Sequence, residues 1–81
     1  MKPGEIIAVE FCYPAEYGYD DVAVMMYKLE QLNPHNIVVY DEIENTRNVI
    51  NLLSYVVVEV RTTTDEEKRR HEIMKLNKGG E

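Results

Sequence analysis

The sequence predicts a small α/β domain in which three mainly parallel strands carry helices packed on them, in the order β-α-β-α-β-α. Three observations lead there. Residues 5–13, 36–40 and 55–61 form apolar runs of strand length, and the two stretches between them place apolar residues at helical spacing. About a dozen residues separate the second run from the third, near the minimum for a parallel crossover, and such connections are right-handed. Eighty-one residues leave room for one modest core, so residues 1–78 read as a single domain and 79–81 as a disordered tail.

The first strand rests on alternation, with Ile7, Val9, Phe11 and Tyr13 on one face and Ile6, Ala8, Glu10 and Cys12 on the other. Pro14 cannot donate to a ladder, and residues 15–19 around Gly18 read as a loop. Asp20 and Asp21 suit a helix N-terminus. Val22, Met25, Met26, Leu29 and Leu32 then recur at helical spacing until Pro34 stops them.

Asn36 to Tyr40 holds Ile37, Val38 and Val39 without alternation, the pattern of a central strand covered on both faces. Asn45 or Thr46 caps a second helix through Val49, Ile50, Leu52 and Leu53, and Tyr55 to Arg61 returns to strand periodicity. Thr64 with Glu67 forms a capping box for a last helix to about Leu76, with Ile73 and Leu76 facing inward.

Charge narrows the function classes. The net charge is −6, and residues 1–64 carry all of it, with ten acids against Lys2, Lys28, Arg47 and Arg61. A surface of that sign repels phosphate backbones, which makes nucleic acid an unfavoured partner. Lys68, Arg69 and Arg70 are the residues a nucleic-acid reading would use, yet Asp65, Glu66, Glu67 and Glu72 flank them. The single cysteine, Cys12, excludes an internal disulfide, and no segment has the length or apolarity of a membrane span; a cytoplasmic protein is expected.

Cys12 at the end of the first strand is similar in place to the thiol of glutaredoxin-like proteins, but Cys12-Tyr13-Pro14-Ala15 lacks their second cysteine. A different pair of segments resembles Toprim domains: Ile6-Ile7-Ala8-Val9-Glu10 and Ile37-Val38-Val39-Tyr40-Asp41 each close an apolar strand with an acid. That resemblance implies magnesium-dependent phosphoryl-transfer or nuclease-like chemistry, with the metal held by Glu10 and Asp41 and with Glu44 nearby. Asp41-Glu42-Ile43-Glu44 departs from the Asp-x-Asp of that family.

No nucleophile and base stand at catalytic spacing, and neither a phosphate loop nor a zinc-ligand set is present. The leading expectation is therefore a non-enzymatic interaction or regulatory module without a cofactor. It would act as a homo-oligomer and present an acidic, tyrosine-rich surface of Tyr13, Tyr17, Tyr19 and Glu42 to a protein partner.

Overall fold

The computed structural model describes residues 1–13 and 21–79, with side chains up to Asn77. It corrects the predicted fold class: the chain is a five-stranded antiparallel sheet with one C-terminal helix, mostly β and not a parallel α/β layer. The strands are β1 (Ile6–Tyr13), β2 (Asp21–Leu32), β3 (Asn36–Asp41), β4 (Thr46–Asn51) and β5 (Val57–Thr62), followed by α1 (Asp65–Gly79). Their order across the sheet is β4-β3-β2-β1-β5.

Both predicted internal helices are strands. Between Asp21 and Leu32 the apolar residues satisfy two periodicities at once, and the β-favouring Val22, Val24 and Tyr27 tip the balance. Met25, Tyr27 and Leu29 lie on one face by simple alternation. A register shift between Leu29 and Gln31 then moves the phase by one residue, so that Leu32 completes a false helical spacing. Pro34 therefore sits in the turn of a β2–β3 hairpin. Asn45, expected to cap a helix, adopts a left-handed conformation (φ 57°) and closes the β3–β4 hairpin. This is a conformation Asn tolerates better than most side chains.

The sheet is curled. Four strand spacings of about 4.8 Å would set β4 and β5 about 19 Å apart if it were flat. The five residues joining them are folded into two successive turns, Ser54 N–H to Asn51 C=O and Val57 N–H to Ser54 C=O. Each such turn spans less than about 7 Å, so the two edges must bend toward one another.

The inner face then encloses the core: Ile7, Val9, Leu29, Ile37 and Val39 are wholly buried, with Tyr27 and Ile50 nearly so, and Phe11, Leu52, Val57 and Val60 pack at its margin. Each fully buried aliphatic side chain contributes about 1.5–3 kcal/mol of transfer free energy. Burial in β3 alternates strictly, so this strand is covered from one face and the expected burial of both does not occur.

On the outer face Ala8 is 1% exposed, between Met26 of β2 and Arg61 of β5. Arg61 grips Glu67 of α1, which brings the helix over this part of the sheet. The capping box is present as predicted: Thr64 N–H donates to Glu67 Oε1 and Glu67 N–H to Thr64 Oγ1. The face that α1 turns to the sheet is polar, however, and runs Glu67, His71, Lys75 at a spacing of four. Ile73 and Leu76, expected inside, are exposed. Among the described residues no helix is long and apolar enough to cross a membrane.

Candidate functional site

β2 is twice as long as β3, and this mismatch creates the site. β3 ends at Asp41, so residues 21–26 of β2 pair with β1 on one side and with no described strand on the other. The β3–β4 turn and α1 flank the free stretch, leaving a cleft of about 180 Å³ lined by Val24, Met25, Met26, Asp41, Ile43, Glu44, His71 and Met74. Val24 and Met26 reach it from the outer face, and His71 and Met74 from adjoining turns of α1.

One charged group orders the polar wall. Glu42 receives His71 Nε2 at 3.2 Å on one oxygen and Lys75 Nζ at 3.2 Å on the other. Burial pushes the Glu42 carboxyl up, but the His71 and Lys75 hydrogen bonds outweigh it and hold the group below the ordinary carboxylate range. His71 itself is 1% exposed, and its Nδ1 has no hydrogen-bond partner. A carboxylate can only accept, so Nε2 supplies the hydrogen of this contact and Nδ1 is left without a partner.

Asp41 occupies the opposite wall, 8% exposed, and its Oδ1 accepts the Ile43 and Glu44 N–H groups at 2.9 and 3.1 Å. It thereby builds the hairpin turn. Asp41 also faces Tyr27, whose hydroxyl is raised above its ordinary pKa first by burial and then by this neighbouring charge.

The residues singled out in the sequence are dispersed. Glu10 lies on the outer face between Val24 and Glu59, whereas Asp41 lies on the inner face two strands away, opposite Thr46. The two carboxylates therefore do not approach, although Glu44 does share the cleft with Asp41. Among the described residues no three His, Cys, Asp or Glu side chains converge on a metal-sized position.

Tyr13 is exposed and stacks on Phe11 with ring centroids 5.9 Å apart, while Tyr17 and Tyr19 lie outside the described residues. Glu42 is drawn into the His71 contact. Lys68, Arg69 and Arg70 are exposed on α1, with Arg70 paired to Glu66 at 2.7 Å. Cys12 is a free, half-buried thiol beside β5.

The cleft and His71 were missed by sequence reasoning. His71 sits in a charged run, and its partner Glu42 is 29 positions away. The one local signal is Met74, three residues on and thus on the same helical face. No protein-family model, no curated protein and no solved structure matches this chain.

Proposed function

We propose that the protein is a non-enzymatic interaction module that acts as a homodimer, pairing the free edge of β2 with the same edge of a second copy. The observation that supports this is the edge itself, which pairs with no strand among the described residues. β4 and β5 also present outer edges, but the first strand carries Arg47 and the second Glu59 and Arg61, whereas Val22 to Tyr27 carries no charge. Val22, Val24 and Met25 are all exposed there.

A second copy fits the chemistry of this edge. Antiparallel pairing about Val24 sets Val22 against Met26 and Ala23 against Met25, so no like charges stand opposite one another along these strand residues. Backbone hydrogen bonds supply the affinity, and the apolar side chains are buried between the copies.

Light scattering over a hundredfold concentration range is the test, with a dimer mass as the expected result. Val24→Lys places two ammonium groups face to face at the symmetry axis and should give a monomer, while Val24→Thr should stay dimeric. A wild-type monomer throughout, or a Val24→Lys protein of unchanged mass, overturns the reading.

A further inference from the structure

The cleft beside β2 holds a second chemistry, carried by side chains on the outer face and not by the β2 backbone, although Met26 also lies on the edge proposed to pair. We propose that His71 Nδ1, Met26 Sδ and Met74 Sδ form a site for one soft monovalent cation of the Cu(I) class.

Three features carry this. His71 is buried, and its Nδ1 is the one buried side-chain nitrogen or oxygen without a partner among the described residues. A buried polar atom left unpaired is costly, and a bound cation would offset that cost. The Nε2 contact with Glu42 is the arrangement that metal-binding histidines commonly show, because a carboxylate on one nitrogen fixes the ring and makes the other more basic. Finally, three of the four methionines of the chain line this single cleft, and two of them, Met26 and Met74, share the face from which His71 enters.

The donor set selects the metal. Thioether sulfur is a soft ligand that suits Cu(I), while magnesium or calcium demands clustered oxygens. The Asp41 carboxylate is engaged in its turn, and no trio of His, Cys, Asp or Glu converges among the described residues, which argues against a hard cation or a conventional zinc site. Asp41 and Glu44 still border the cleft and add an anionic field that favours a cation.

The test is anaerobic titration of the full chain with Cu(I), using bicinchoninate as a coloured competitor and a Cys12→Ser background to remove the free thiol. One equivalent should be withdrawn from the competitor. Met26→Leu with Met74→Leu, which preserves volume, should abolish that withdrawal while circular dichroism stays unchanged. Glu42→Gln, a positioning change, should weaken binding about 10–100-fold. Ag(I) should shift the methyl resonances of Met26 and Met74, and Zn(II) should not compete. Absence of Cu(I) binding in Cys12→Ser, binding that survives the double Leu variant, or unshifted Met26 and Met74 methyls overturns the proposal. The mass of the copper-free protein reports on dimerisation separately, so the two readings fail independently.

Discussion

Arg61 and Glu67 meet as a two-pronged ion pair: the guanidinium nitrogens of β5 donate to the two carboxylate oxygens of α1 at 2.6 and 2.8 Å. Both side chains are partly shielded, and Thr64 adds its N–H to the same carboxylate. The Arg61 hydrogen bonds, helped by Thr64, lower the Glu67 carboxyl from an ordinary 4.5 to about 2. A carboxyl depressed in the folded state contributes stability above its unfolded value and loses that contribution as pH falls. The gap in urea midpoint between wild type and Glu67→Gln should thus be full at pH 7 and shrink between about pH 5 and pH 2. A pH-independent gap would show that the pair does not anchor the helix.

Thr64 has a role that can be separated from the ion pair. Its hydroxyl accepts the Glu67 N–H at 3.2 Å, and Thr64→Ala should cost about 0.5–2 kcal/mol in chemical denaturation at neutral pH. Thr64→Ser should recover most of that loss.

The β3–β4 turn makes a sharper demand on one residue. Asn45 has a φ of 57° and accepts the Tyr40 hydroxyl at 3.1 Å. Asn45→Gly should be nearly neutral, because glycine takes this conformation freely. Asn45→Val should destabilise by about 1–2 kcal/mol. Equal effects from the two substitutions would mean that the hydrogen bond, and not the backbone, sets the preference.

Leu29 is wholly buried where β2 passes between β1 and β3. Leu29→Ala should lower stability by about 2–5 kcal/mol, enough to unfold a domain of this size at 37 °C, whereas Ile50→Val should cost only about 0.5–1.5 kcal/mol. Thermal melts of the pair give the comparison.

Duplex DNA should not bind at physiological salt. Lys68 and Arg69 are exposed, but Arg70 is paired with Glu66 and the rest of the chain is strongly acidic. A salt-dependent gel shift that disappears when all three bases are changed to Glu would reverse this expectation.

The parts that were legible in the sequence share one property: their signals are local and single-valued. Ile7, Val9 and Phe11 alternate, Ile37 to Tyr40 has only strand-forming residues, and Thr64 with Glu67 specifies a helix start. The Asp21–Leu32 segment carried two compatible periods, and the choice between them was made by pairing with β1 and β3, which no short window contains. β4 failed for a related reason, since Thr46 to Asn51 has few apolar residues and is held chiefly by its partner β3. Of the candidate site residues, Asp41 and Glu44 do line the cleft and Glu42 orders its wall. His71 stayed hidden because its surroundings come from β2 and a turn far away in the chain.

The pairing of β1 with β5 sets the order in which the chain can assemble. Ile7 lies against Thr62 and Val9 against Val60, across more than half the chain, while β2, β3 and β4 form consecutive hairpins. Loop-closure entropy must be overcome before such distant contacts repay it, so the hairpins should nucleate and β5 should close last. In kinetic terms, Val39→Ala should chiefly slow folding and Val60→Ala should chiefly hasten unfolding. The last strand to arrive is also the one that leads into α1, so the helix, and with it the enclosure of His71, would be completed only after the rest of the sheet has formed.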